Sequence, residues 1–265
     1  MKLIKTKKIS LIILSIFLFL LIGCSNQRTY INEELKSKIT ESNIVQSTVL
    51  IVKEQHETKN DSAASVTYSY GFSGGIIKKD GNRYYILTAF HPIEEITNEN
   101  LIILQWDEPR YNDLPREQKK GIAIYYESKP KARIEYTDIK YDLAIISFES
   151  DKELPILEIS DVEAKYGDEI ASISNPKDQD RNHLSFGKIT SKNAVPFGDE
   201  KDDIQYPVIE HSAYINEGSS GSILVNGDLK LVGINLGGTT RRGKFIKAKA
   251  MPLDRIVEFI NQFNK

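Results

Sequence analysis

Residues 209–235 read IEHSAYINEGSSGSILVNGDLKLVGIN. A run with strand character breaks at Gly218-Ser219-Ser220-Gly221-Ser222, and an apolar run resumes at once. Two readings compete for this break. Glycine and serine together make a flexible linker or a plain turn. Glycine flanking a serine also lets the backbone fold sharply enough to hold one hydroxyl where it can react. The residues beyond the break bear on the choice. Asn226-Gly227 is a strong hairpin turn between two apolar runs, and the choice itself falls to the rest of the chain.

Outward from this stretch the chain is mostly strands. VQSTVLIVKEQ, ASVTYSYGFSGGIIKK, the hairpin around Asp80-Gly81, LIILQW, GIAIYY, ARIEYT and LAIISF form one group. EIASIS, LSFGKITS, YPVIEHSAYI, SILV, LKLVGINL and KFIKAKAM form a second. Short strands with frequent turns predict an all-β sandwich or a pair of barrels. Only the end is helical: Leu253, Ile256, Val257, Phe259, Ile260 and Phe263 form a stripe, with Pro252 near its start. Residues 107–120, polar and rich in breakers, predict a surface loop, and residues 150–156 a linker between the two strand groups.

The first residues stand apart from this pattern. MKLIKTKK is basic, and the 15 residues after it are apolar, too few to span a bilayer and right for a secretory signal. Cys24 follows directly, in LIGC, which resembles the lipobox of bacterial lipoproteins. The other reading is an uncut signal anchor with a chance cysteine. The lipobox reading makes residues 1–23 a signal peptide, Cys24 a lipidated N-terminus and residues 24–42 a polar tether, with a short helix around NEELKSKI. It places the protein outside the cytoplasm, anchored to the bacterial cell membrane. The chain carries −2 overall, but its first 23 residues hold four lysines and no acid, so the remainder carries −6. An acidic body offers no face for nucleic acid. Cys24 is the only cysteine, which excludes an intramolecular disulfide and leaves no cysteine nucleophile or cysteine metal site in the body. No His/Asp/Glu cluster has ligand spacing, so neither metal nor cofactor is expected.

A reactive serine needs a base and a group to orient that base. Of the four histidines, His56 and His183 lie in polar stretches that suggest exposed loops, and His211 lies on a strand by alternation. His91, in YYILTAFHPI, ends an apolar strand, where the backbone is fixed and the ring faces a cleft. Asp142 precedes the apolar run LAIISF. It is either a strand-opening turn residue or a buried carboxylate that accepts an imidazole N–H. The chain order His91, Asp142, Ser220 is that of chymotrypsin-type enzymes. A nucleophile elbow is excluded, because Ser222 stands where glycine is needed, a strand follows, and no histidine comes after Ser220. The subtilisin order would need an α/β chain that this sequence does not resemble.

Specific stretches carry a family resemblance. Residues 66–264 resemble the protease domain of the HtrA/Deg group of trypsin-like serine proteases. FSGGIIKKDGNRYYILTAFHPI resembles their glycine-rich strand, hairpin and histidine strand, and YDLAII their aspartate strand. LPILEISDVEAKYGDEIASISNP is similar to their linker and the first strand of their second barrel. Residues 209–235 resemble the nucleophile loop and its hairpin, and AMPLDRIVEFINQ the closing helix. The resemblance implies two packed six-stranded antiparallel β-barrels with a C-terminal α-helix. The first barrel would span about residues 43–150, the second about 155–251, and the helix about 252–264. It implies a serine endopeptidase acting on polypeptides, and homo-oligomers of the kind such domains form. No PDZ domain, and so no regulation through one, is expected.

The same resemblance assigns roles. Ser220 is the nucleophile, His91 the base and Asp142 its orienter. The N–H groups of Gly218 and Ser220 form the oxyanion hole. Residues 213–217 and 234–238 wall the S1 pocket, with Ile215, Asn216, Ile234, Asn235 and Leu236 as substrate-binding residues, and Ile215, Ile234 and Leu236 predict small or medium apolar P1 residues. The sequence also departs from the family. Ser219 replaces the usual asparagine. Ser222 replaces glycine, as in the glutamyl endopeptidase branch, but Asn235 stands where that branch has histidine, so acidic P1 residues are not implied. The His91–Asp142 interval is long, and the 107–120 loop accommodates it. A second function class remains open: a catalytically silent trypsin-fold lipoprotein that binds or chaperones polypeptides, should GSSGS leave the oxyanion loop unproductive.

Overall fold

The computed structural model describes residues 32–58, 64–94, 99–197 and 206–265. The signal segment, Cys24 and the tether up to residue 31 lie outside the described residues. Among the described residues, no helix is long and apolar enough to cross a membrane. The described chain begins with a helix over Glu33–Glu41 (α1), capped by the Asn32 side chain, which accepts from the Leu35 N–H at 2.9 Å. A helix this short is not stable alone. Leu35 and Ile39 bury themselves in the main core, at about 1.5–3 kcal/mol for each such side chain. The part of the expected tether from residue 33 onward is therefore packed against the body.

The first half holds seven strands: β1 (Thr48–Thr58), β2 (Ala64–Tyr68), β3 (Phe72–Asp80), β4 (Arg83–Ala89), β5 (Glu99–Gln105), β6 (Lys131–Asp138) and β7 (Leu143–Glu149). All pairings are antiparallel. The order β1-β3-β4-β7-β6-β5 closes on itself through β5 and β1, giving a six-stranded barrel, and β2 adds outside β1. Alternation along β1 explains its unbroken apolar run. Val49 and Ile51 point into the barrel, and Leu50 and Val52 point outward. The outward face is covered by a short helix over Ile122–Glu127 (α2), through Tyr126, whose ring stacks on Tyr68 at 4.6 Å. The stretch 121–126, expected to be a strand, thus enters a helix. Its two tyrosines cover β1 and β5, while Ile122 and Ile124 stay exposed.

The second half holds β8 (Glu169–Ser174), β9 (His183–Lys188), β10 (Val195–Phe197), β11 (Tyr206–His211), β12 (Ile223–Val225), β13 (Leu231–Arg241) and β14 (Lys244–Pro252). The ladder runs β11-β14-β13-β12-β8-β9, with β10 outside β11. It closes just past β9. Ile189 bridges His211, the Thr190 N–H donates to Glu210 O at 2.8 Å, and the Ser212 N–H donates to Lys188 O at 3.1 Å. A second six-stranded barrel results. The last helix, Leu253–Phe263 (α3), packs through Ile256 and Phe259 into the largest apolar cluster. That cluster joins Leu87, Leu143 and Ile145 of the first barrel to Ile173, Ile223, Ile234 and Met251 of the second. The barrels are thus fused along a shared core, and the loops at one edge of that seam carry the site.

Candidate active site

His91 opens a 3-10 turn, His91–Ile93, directly after β4. Ile93 is buried in the first barrel and anchors the turn. Asp142 precedes β7 with φ +50°, a left-handed conformation that aspartate tolerates better than most residues. It is 4% exposed. Of the two readings open in the sequence, the buried carboxylate is the one observed. Its Oδ1 accepts the His91 backbone N–H at 2.7 Å, and its Oδ2 lies 2.8 Å from His91 Nδ1. Asp142 O also accepts from the Phe90 N–H at 3.0 Å, so backbone and side chain both lock the two loops together. The other ring nitrogen, Nε2, lies 3.0 Å from Ser220 Oγ. With the carboxylate accepting from Nδ1–H, Nε2 carries the lone pair that faces the hydroxyl.

Tyr206, which no sequence pattern singles out, donates its hydroxyl to Asp142 Oδ2 at 3.2 Å. Burial, then the Asp142 charge, pushes its phenol well above the ordinary range. It reaches the aspartate from the second barrel, a meeting that nothing local announces. His56 sits on β1 beside Glu54 at 3.0 Å, and His183 begins β9 against the Tyr214 ring, so neither is a loop residue.

Ser220 comes from the other barrel, on a loop docked against β3. The Ser73 N–H donates to Ser220 O at 2.9 Å. Gly221, with φ +79°, lies so close to Thr88 Oγ1 and Ser73 O that a side chain has no room. Gly218 has φ +94°, and a Cβ there would stand 2.6 Å from Asn175 O. The loop's peptide planes are fixed. Glu217 O accepts from the Lys177 N–H at 2.8 Å, and Ser219 O from the Ser222 N–H at 3.0 Å. In a trans peptide the N–H points opposite to the C=O. The Gly218 and Ser220 N–H groups are therefore turned away from those two partners.

The expected S1 wall needs correction. Strand alternation puts consecutive residues on opposite faces, so 234, 235 and 236 cannot line one pocket with their side chains. Ile234 and Leu236 are buried in the core between the barrels. Asn235 points into the second barrel, where Nδ2 donates to Ser172 Oγ at 2.9 Å and Ser222 Oγ at 2.8 Å. Their backbone does approach the site: Asn235 O accepts from the Gly221 N–H at 2.7 Å, and Leu236 O lies 3.4 Å from Ser220 Oγ. Ile215 faces Gly238, whose Cβ position is 3.5 Å from its Cγ1 and Cδ1. Asn216 is exposed, and its carbonyl accepts from the Ser219 N–H at 2.9 Å.

His211 donates from Nε2 to Asn235 Oδ1 at 2.7 Å inside the barrel. Burial brings its imidazole down to about 4. Below the ordinary histidine value the unfolded chain takes up a proton that the native state refuses. Stability therefore falls as pH drops through the window from about 6.5 to about 4. At pH 5 the loss should be about 2 kcal/mol relative to pH 7. Urea midpoints at the two pH values measure it, and His211→Gln should remove most of the difference.

The family model described as a trypsin-like peptidase domain matches residues 71–234. Serine protease HTRA4 of Mus musculus is 32% identical over 157 residues, 57% of this chain and 31% of that protein. A probable periplasmic serine endoprotease DegP-like of Pseudomonas putida is 30% identical over 196 residues, covering 73% of this chain and 35% of its own length. Serine protease HTRA4 of Homo sapiens is 28% identical over 201 residues, 74% and 35% of the two chains. The chain spans about a third of the length of these relatives.

Proposed function

This chain belongs to the trypsin-like peptidase family, and on that premise we propose that it is a serine endopeptidase working through Ser220, His91 and Asp142. The observation that carries the reading is the unbroken line Ser220 Oγ, His91 Nε2, His91 Nδ1, Asp142 Oδ2, with contacts of 3.0 Å and 2.8 Å. Ser220 Oγ attacks the scissile carbonyl carbon as its proton passes to Nε2. Asp142 holds the imidazole in place and offsets the positive charge that forms on it. The Gly218 and Ser220 N–H groups receive the developing oxyanion, and each such donor is worth about 10²–10³ in rate. The C–N bond then breaks, the nitrogen leaving with the proton from Nε2. Water repeats the sequence on the acyl-enzyme and restores Ser220. No step draws on a cofactor. Ile215 facing Gly238 favours a small or medium apolar P1 residue.

The peptidase acts outside the cytoplasm in this proposal, held to the cell membrane by a lipid. Relatives named as periplasmic support the location. The basic and apolar start ending at Cys24 supports the anchor. Mass spectrometry of the N-terminal peptide from a membrane fraction tests this. An acylated Cys24 supports the anchor, and an unmodified one removes it.

The enzymatic reading is tested by labelling the detergent-purified full chain with a fluorophosphonate probe, beside Ser220→Ala. Labelling lost in the variant is the expected result. A folded wild-type chain that takes no label sinks the reading and transfers the weight to a polypeptide-binding lipoprotein. Tyr206→Phe removes one of three donors to Asp142 and should lower kcat about tenfold with KM nearly unchanged. Steady-state kinetics of the two proteins check it, and equal kcat values would make Tyr206 a packing residue only.

A further inference from the structure

Arg110 lies in the polar stretch between β5 and α2, where the sequence promises only a surface loop. It is 6% exposed. Its Nη2 donates to two consecutive carbonyls of the opposite barrel, Asn175 O at 2.8 Å and Pro176 O at 3.0 Å. A second arginine staples the same segments from the other side. Arg181 donates from Nε to Asn175 Oδ1 at 3.2 Å and from Nη1 to Gln105 O at 2.9 Å, with a further bond to Glu108 O. Placing two guanidinium groups together out of water is costly. Burial, then the Arg110 charge, lowers Arg181 to about 10. The acid paired with Arg110, Asp113 at 3.6 Å, is itself half exposed and offsets the charge only in part.

What this arrangement holds is the segment 175–177, and that segment holds the loop beside Ser220. The Lys177 N–H takes Glu217 O at 2.8 Å. The Asn175 N–H donates to Ser73 Oγ at 2.9 Å, and Ser73 Oγ donates in turn to Gly218 O at 2.9 Å. The carbonyls of residues 217 and 218 are thus both fixed through 175–177, and the first of them sets the direction of the Gly218 N–H. We propose that Arg110 is a positioning residue for the oxyanion turn, acting through Asn175–Lys177, so that the 107–120 loop influences the rate of acyl transfer through the backbone beside Ser220. The rate part of this inference rests on the proposed role of Ser220. The geometric part stands without it.

Arg110→Ala and Arg110→Lys in the full chain test it by two measurements. The first is hydrogen–deuterium exchange of the peptide covering 215–222, with the 143–149 peptide as reference. The second is fluorophosphonate inactivation resolved into kinact and KI. In Arg110→Ala, exchange over 215–222 should rise at least about tenfold with 143–149 unchanged. In the same variant kinact should fall about 30-fold with KI within about threefold, as expected when oxyanion donors lose alignment. Arg110→Lys, which keeps the charge on a shorter side chain without the planar fork, should lie between Arg110→Ala and wild type. It decides the matter if the alanine variant does not fold. Equal exchange over 215–222 in the folded variants and wild type overturns the proposal, as does a rise spread evenly over both peptides. A wild-type chain that takes no label overturns the peptidase reading, and the exchange measurement then decides the position of the turn on its own.

Discussion

His91→Ala should leave the fold intact and lower the rate of Ser220 acylation on the order of 10⁶-fold. The ring is 43% exposed, rests on a turn anchored by Ile93, and supports no core packing, so its loss costs little stability. Chemically the loss is severe. Ser220 Oγ then has as its remaining polar neighbour the Leu236 carbonyl at 3.4 Å, which cannot accept a proton from an attacking hydroxyl. Residual turnover would come from the oxyanion donors and binding. Inactivation rates with a fluorophosphonate, beside thermal melts of both proteins, give the answer. A variant within tenfold of wild type would mean that another base serves Ser220.

Asp142→Asn should cost about 10⁴ in kcat, with a folded protein and little change in KM. The two carboxylate oxygens are both committed. Oδ1 accepts the His91 backbone N–H at 2.7 Å, and Oδ2 accepts from Nδ1 at 2.8 Å and from the Tyr206 hydroxyl at 3.2 Å. An amide has one oxygen for these two positions. If its NH₂ takes the Oδ2 place, it faces Nδ1 and forces the proton to Nε2, where it blocks proton transfer from Ser220. If its NH₂ takes the Oδ1 place, it meets a backbone N–H head-on. The first orientation imposes the wrong tautomer, and the second, which would keep the working one, is disfavoured by that clash. Asparagine adopts the left-handed conformation at φ +50° as readily as aspartate, so the backbone is undisturbed and the loss is chemical. Steady-state kinetics with a peptide ester, together with imidazole NMR signals, would decide. Activity within tenfold of wild type would show that Asp142 does not govern the tautomer.

Much of this was legible in the sequence because it is encoded locally. β4 and β7 stand out as near-continuous apolar runs, which are buried on both faces, and Gly81 and Asn226-Gly227 mark turns through backbone preferences that need no tertiary context. His91 and Asp142 stood out because each adjoins an apolar strand. The residues that were missed depend on partners far along the chain. Tyr206 meets Asp142 across 64 positions, and Arg110 meets Asn175 across 65. In 121–126 the contact that counts is Tyr126 against the outer face of β1, more than 70 positions away, and the local pattern does not reveal it. The side chains expected at the S1 wall are a different case: alternation along β13 sends Ile234, Asn235 and Leu236 into the barrel cores and leaves their backbone beside Ser220. Ser73 did carry a signal, a lone hydroxyl in the otherwise apolar FSGGII, and its bond to Gly218 O explains it.

The division of the site between the two barrels also orders events in time. A chain leaving the ribosome or crossing a membrane from its N-terminus presents His91 and Asp142 long before Ser220. The serine gains a base only when β3 receives its loop, through the Ser73–Ser220 backbone bond, which requires both barrels to be complete. A nascent or half-folded copy therefore holds the base and its orienter without the hydroxyl they face.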